Sequence, residues 1–188
     1  MQKLERVREY VAAAADLAWR PGVPNTALDL GCGSEGVPFY LLRRGWHVIA
    51  VDRDPRALAR LRLRKKSRND EALSIVCEDF STMIFPSVSL IHAGYALHHA
   101  CPERFGELWS KISVALSPDG VFAGHFFGEC DQFAEDDRFS VFPFEVLVKL
   151  FADWKIEHWD EFQGYGHRDP SRWWHFFTIV ARKQEASV

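Results

Sequence analysis

The segment Leu28-Asp29-Leu30-Gly31-Cys32-Gly33 constrains this chain more than any other. Thr26 to Leu30 is a short apolar run of the kind that forms a buried strand, and the glycines after it let the backbone turn and approach a ligand with no side chain in the way. From about Gly36 to Arg44 the apolar spacing becomes helical, and Gly45 ends it. A strand that feeds a glycine turn and then a helix aims backbone N–H groups at whatever binds above the sheet.

The same alternation continues along the chain. His47 to Val51 reads as a second strand, and Asp54-Pro55 as an N-cap with proline at the first helical position, before a helix that turns Ala57, Leu58 and Leu61 inward. Leu73 to Cys77 and Val88 to Ala93 are further strands. Pro102 starts a helix with Phe105, Leu108, Trp109 and Ile112 on one face, and Ser117-Pro118-Asp119-Gly120 is a turn into strand Val121 to Phe127. Upstream, Leu4, Val7, Val11, Ala14, Ala15 and Ala18 recur at helical spacing until Pro21-Gly22. Residues 1–20 therefore form a helix covering the sheet or a cofactor.

Beyond Gly128 the pattern changes. An acidic loop, Glu129 to Asp137, precedes a helix from about Pro143 to Phe151, then strands near Lys155 to Phe162 and Arg172 to Arg182. No helix fits between these two strands, and Gly164 to Pro170 suits a hairpin, so the last strand enters the sheet antiparallel. The expectation is one α/β domain over residues 1–188, with seven strands, mostly parallel, and helices on both faces. Lys183 to Val188 is expected to fray.

Composition narrows the function classes. Seven Trp and fifteen Phe among 188 residues, with 47% hydrophobic residues, argue against disorder and for a large aromatic core or pocket. A net charge of -3 gives no long-range attraction to nucleic acid or an anionic membrane. The one basic run, Arg60 to Arg68, ends a helix, where cations meet the negative pole of its dipole. Cys32, Cys77, Cys101 and Cys130 lie far apart, which suggests neither a disulfide framework nor zinc, and no ligand spacing supports any other metal. With no apolar signal core and no membrane-length run, the expected location is the cytoplasm.

Gly31-Cys32-Gly33-Ser34-Glu35-Gly36 also satisfies the dinucleotide pattern G-x-G-x-x-G, with Asp52 at the distance expected of a ribose-binding acid. The glycines alone thus leave a nicotinamide-dependent oxidoreductase open. Asp29 favours a cofactor carrying an amino acid, because a carboxylate there can order the glycine turn or reach a cationic amino group but would repel a pyrophosphate. With the terminal hairpin added, the chain resembles the class I S-adenosylmethionine-dependent methyltransferases, which have a Rossmann-like sheet. From Ala96-Leu97-His98-His99-Ala100-Cys101-Pro102 through Trp174-His175-Phe176 it is similar in particular to the methyltransferases related to the tellurite-resistance enzyme. It departs from them at Leu97 to Cys101 and at Pro118-Asp119-Gly120.

The resemblance implies S-adenosyl-L-methionine as cofactor and a site residue by residue. Asp29, Gly31, Cys32 and Gly33 would face its methionine part, and Asp52 its ribose hydroxyls. Arg53 would flank the adenine, Asp79 would accept from the exocyclic amine, and Phe80 would offer its backbone amide and ring edge. Ala93 and Gly94 would approach the sulfur.

On the substrate side, Tyr95, His98 and His99 follow the fourth strand at the edge where parallel sheets bind ligands, and Tyr95 and His98 are the catalytic candidates. His125 and His175 either line the cavity or are satisfied core histidines. Trp173, Trp174, Phe126, Phe127 and Phe133 either enclose the sulfonium or belong to the core. The loop within 129–140 is a solvated turn or a lid. The expected partner is a small-molecule acceptor, with no nucleic acid and no membrane. A catalytically silent scaffold that binds cofactor to stabilise a partner is the remaining alternative.

Overall fold

In a computed structural model, which describes residues 8–34, 36–68, 71–166 and 170–184, β1 (Thr26–Leu30) is an interior strand of a seven-stranded sheet. It pairs in parallel with β2 (His47–Asp52) on one side and β4 (Val88–Ala93) on the other. β3 (Leu73–Cys77) extends the sheet beyond β2, and β5 (Leu116–Phe127) extends it beyond β4. β7 (Trp173–Lys183) inserts antiparallel between β5 and the edge strand β6 (Trp154–Tyr165), giving the order β3-β2-β1-β4-β5-β7-β6. The strand order reverses between β1 and β4, and in such sheets that reversal opens a crevice beyond the carboxyl ends of the two strands.

Side chains alternate across a strand, so each strand feeds two layers. Leu28, Leu30, Val51, Ile91, Phe122 and Phe126 face α4 (Phe105–Ala115) and α5 (Phe144–Leu150). Ala27, Val48, Ala50, Leu90, Val121 and Ala123 face α1 (Glu9–Ala18), α2 (Val37–Arg43) and α3 (Pro55–Arg68). The aromatic residues are concentrated in the first layer, where Trp109 packs against Phe122, Phe126 and Phe151 at ring separations of 5.2, 5.8 and 4.9 Å. By the same alternation Asp29, His92 and His125 fall on the α1 side.

Local chemistry sets the element ends. α1 buries Val11, Ala14, Ala15 and Ala18, a single helical face, and Gly22 turns with φ of +80° just beyond it. Leu4 and Val7 of the expected helix lie outside the described residues, as do Glu35, residues 167–169 of the hairpin turn and residues 185–188. Asp54 caps α3 by accepting the Arg56 N–H at 2.9 Å. At the other end of α3 the cations fold inward: Arg64 donates to the Ser34 carbonyl and lies 4.3 Å over the Phe39 ring, and Lys65 donates to the Leu73 carbonyl.

Two expected elements differ. Pro102 opens a 3-10 turn, and the α-helix begins only at Phe105. The turn expected at Ser117 to Gly120 is an irregularity inside β5: Asp119 takes a left-handed φ of +58°, and pairing with β4 jumps from Val88–Leu116 to Leu90–Val121. The extra residues bulge outward, and the strand resumes its register.

The acidic loop is tied down by its one buried acid. Asp131 accepts the N–H groups of His175 at 2.9 Å and Phe133 at 3.0 Å, and the Arg172 guanidinium at 3.2 Å. Replacing Asp131 by Ala would strand these donors, and breaking a largely buried ion pair of this kind costs about 2–4 kcal/mol. In urea unfolding, Asp131→Ala should lower the midpoint by that margin at unchanged slope; a loss below about 0.5 kcal/mol would mean that the loop is not anchored through this carboxylate.

Candidate functional site

The turn after β1 is shaped by glycine where no other residue fits. Gly31 has φ of +65°, and a Cβ there would lie 2.6 Å from that of Ala96; Gly33 has φ of +57°. These conformations let Cys32 N–H donate to the Val51 carbonyl at 2.9 Å and Gly33 N–H donate to Asp52 Oδ2 at 2.8 Å. The other oxygen, Oδ1, accepts the Asp54 N–H at 2.8 Å. Each carboxylate oxygen can accept more than one hydrogen bond, so Asp52 is held by backbone donors and keeps capacity for a ligand. Asp79, after β3, is oriented similarly: Oδ1 accepts the Ser81 N–H at 2.8 Å, and Arg53 lies 3.8 Å from Oδ2.

These groups surround a cleft of about 240 Å³ at the carboxyl edge of the sheet. Of the expected cofactor and catalytic residues, Gly31, Asp52, Arg53, Asp79, Phe80 and Tyr95 line it, and so does His99, the further substrate-side candidate. Asp54 and Ala96 join them. Cys32 is buried against the α1-side layer, where burial first, and then the charges of Asp29 and Asp52, push its thiol far above the ordinary range. Gly33 contributes its N–H to Asp52 and not to the lining. Ala93 is buried in the α4-side layer.

Asp29 lies behind this wall. Its Oδ1 is 2.6 Å from His92 Nδ1, His92 Nε2 is 2.9 Å from the Tyr10 hydroxyl, and that hydroxyl is 3.5 Å from His125 Nδ1. An ionised Asp29 only accepts, so Nδ1–H donates to it, and in the neutral ring Nε2 takes the Tyr10 proton. Asp29 Oδ2 and His125 Nε2 are buried without a hydrogen-bond partner among the described residues. Gly94 accommodates this cluster, because a Cβ there would come within 2.8 Å of the His92 ring and 3.2 Å of the Tyr10 hydroxyl.

Tyr95 covers His125, the rings stacking at 3.9 Å and 8°. Arg8 donates to its hydroxyl and lies 4.5 Å over its ring. Its φ of +52° is left-handed, a conformation that bulky residues avoid unless their surroundings enforce it.

His98 turns away from the cleft. It stacks on Phe127 at 4.1 Å and 6° and on Phe133 at 5.3 Å, and its Nδ1 is buried without a hydrogen-bond partner among the described residues. Burial, then the charges of His99 and Arg172, push its pKa down to about 3. His99 bridges two regions: it lines the cleft beside Asp52, and its ring lies 5.5 Å from Phe139, which lines a groove of about 960 Å³ between residues 132–139 and 171–172. The Arg172 guanidinium closes one side of that groove, 3.6 Å over Trp174 and 4.1 Å over Phe133.

Of the five aromatic residues expected around the site, Phe127, Phe133 and Trp174 gather here. Phe126 belongs to the opposite layer, and Trp173 packs against Tyr165 at an exposed edge. His175 is a satisfied core histidine, with Nδ1 accepting the Cys130 N–H at 3.0 Å and Nε2 3.0 Å from Glu161. Tyr10 and His92 were not among the sequence candidates. The signal for His92 was an ionisable ring among the buried residues of a mostly apolar strand.

A family model described as a methyltransferase domain matches residues 28–124, just over half of the chain. The uncharacterized methyltransferase sll0829 of Synechocystis sp. is 31% identical over 110 residues, 57% of this chain and 49% of that protein. TehB from Haemophilus influenzae superposes with a TM-score of 0.81 at 20% identity, over 95% of this chain and 63% of its own. The 1,6-didemethyltoxoflavin-N1-methyltransferase of Burkholderia thailandensis, solved with 1,6-didemethyltoxoflavin and S-adenosylhomocysteine bound, has a TM-score of 0.67 at 25% identity, covering 94% of this chain and 79% of that one. The chain spans 49% to 58% of the length of the curated relatives it matches. A family match that runs from the strand before the glycine turn into β5, on a sheet with this strand order, shows that the chain belongs to the class I S-adenosylmethionine-dependent methyltransferases.

Proposed function

We propose that the protein transfers the methyl group of S-adenosyl-L-methionine to a small-molecule acceptor. The observation that carries this reading is the Asp52 carboxylate at the end of β2, held by the N–H groups of Gly33 and Asp54 beside the cleft. Asp52 would accept from the ribose hydroxyls, Arg53 would flank the adenine, and Asp79 with Phe80 would meet its edge. Gly31, Cys32 and Gly33 would pass beneath the methionine part, with Ala93 and Gly94 near the sulfur. The orphaned Asp29 Oδ2 fits a cofactor that carries an ammonium group. Three acids lining the cleft, Asp52, Asp54 and Asp79, favour it over a pyrophosphate, which they would repel. The antiparallel β7 also speaks against a plain dinucleotide fold.

Bound there, the cofactor supplies a methyl carbon on a good neutral leaving group, so the protein's task is alignment in a site closed to water. Tyr95 would meet the acceptor at the lip of the cleft. His98, held neutral, would serve as a hydrogen-bonding group at the wall of Phe127 and Phe133 and not as a strong base. That suits an acceptor that ionises readily or is nucleophilic as it stands: a phenol, carboxylate, thiol or soft oxyanion. Arg64 and Lys65 of the basic run are engaged with backbone carbonyls of the fold, which supports a small molecule over a nucleic acid.

Asp52→Ala should weaken binding of S-adenosylhomocysteine by about 1.5–3 kcal/mol, the scale of hydrogen bonds to a charged group, as measured by calorimetry; unchanged affinity would remove Asp52 from the site. Catalysis itself is checked by formation of S-adenosylhomocysteine over a broad acceptor panel, and tight binding without turnover would favour a silent scaffold.

His98 adds a pH signature. Its folded value of about 3 lies below the ordinary 6.5, so the unfolded chain binds a proton that the folded chain refuses. The stability this gives is present above pH 6.5 and is lost as pH falls toward 3. His98→Phe, which keeps the stack, should show a smaller drop in melting temperature between about pH 7.5 and pH 5 than the unaltered chain. An equal drop would mean that His98 titrates normally.

A further inference from the structure

We propose that His92, with Tyr10 behind it, is a positioning residue for the α-amino group of the cofactor. The inference rests on the cofactor reading above and concerns how this chain makes one oxygen of Asp29 available. Asp29 and His92 are paired in register across β1 and β4, so their side chains leave the sheet on the same face. The 2.6 Å contact between Nδ1 and Oδ1 then fixes the rotation of the carboxylate, and Oδ2 is left buried with no partner among the described residues.

A buried carboxylate oxygen without a donor is costly, and such an atom calls for a donor from outside the chain. Asp29 lies two residues before Gly31, which lines the cleft. Of the chemical groups in the cofactor, the ammonium is the one that gains most from a buried anion. Asp52 and Asp79, which line the cleft, are held by backbone N–H groups and suit hydroxyl and amine donors.

Tyr10 makes α1 part of the same arrangement. Its hydroxyl, 2.9 Å from His92 Nε2, holds the second nitrogen of the ring and so fixes the plane in which Nδ1 meets Asp29. The space is built for this ring: a side chain at residue 94 would strike both His92 and Tyr10. The residues that prepare the amino subsite thus come from three elements, α1, β1 and β4.

The test compares S-adenosylhomocysteine with the same thioether lacking the α-amino group, by calorimetry, on the unaltered chain, His92→Leu, His92→Gln and Tyr10→Phe. His92→Leu should weaken the amino-bearing ligand about tenfold or more and the des-amino ligand by less than about twofold. His92→Gln, whose amide still donates to Asp29, should recover part of the loss. Tyr10→Phe should show the same selectivity in smaller measure, and it decides the matter if His92→Leu does not fold. Equal losses for both ligands, or no loss for either, in the folded variants would overturn the positioning role and leave the cofactor reading intact. An unaltered chain that binds neither ligand would overturn both.

Discussion

The hydrogen bond from the Gly33 N–H to Asp52 Oδ2 joins the carboxyl ends of β1 and β2, and the candidate site is organised around it. It forms only because Gly31 and Gly33 adopt left-handed backbone conformations, which swing the chain back over the sheet edge before α2 begins. A side chain at residue 31 would collide with Ala96 in the segment after β4. The turn that reaches Asp52 therefore also admits the segment carrying Tyr95. One small turn sets the spacing of two walls of the cleft.

The sheet then distributes the acids. Asp52 is the last residue of β2 and Asp79 follows β3, and both line the cleft, whereas Asp29 lies within β1 and is buried against His92. The difference is one of position along the strand. A residue at or past the strand end can turn toward a ligand, and a residue in its interior must point into one of the two layers. Burial in the α1-side layer demands a partner for Asp29, and His92 on the adjacent strand supplies it. On the far side, Asp131 plays the corresponding structural part, holding the loop that carries Phe133 against β7.

Much of this was legible in the sequence because it depends on local pattern. Strand and helix alternation follows from apolar spacing, the glycine turn from its residues, and Asp52 and Asp79 from their places after apolar runs. What was not legible depends on which distant strands become neighbours. The pairing of Asp29 with His92 spans 63 residues and needs the adjacency of β1 and β4. Asp131 reads as one charge among several in an acidic loop, and its burial comes from contacts with Arg172 and His175 more than 40 residues away. Pro118-Asp119-Gly120 has turn chemistry, yet the pairing of β5 with β4 carries it as a bulge.

The central claim is that the cleft beside Asp52 takes an adenosyl cofactor bearing an amino acid and not a dinucleotide. Calorimetric titration of the unaltered chain with S-adenosylhomocysteine and, separately, with a nicotinamide dinucleotide tests it most directly. Saturable binding of the first with no heat of binding for the second is the predicted result. Saturable binding of the dinucleotide, with S-adenosylhomocysteine failing to bind or to compete for the same site, would contradict it.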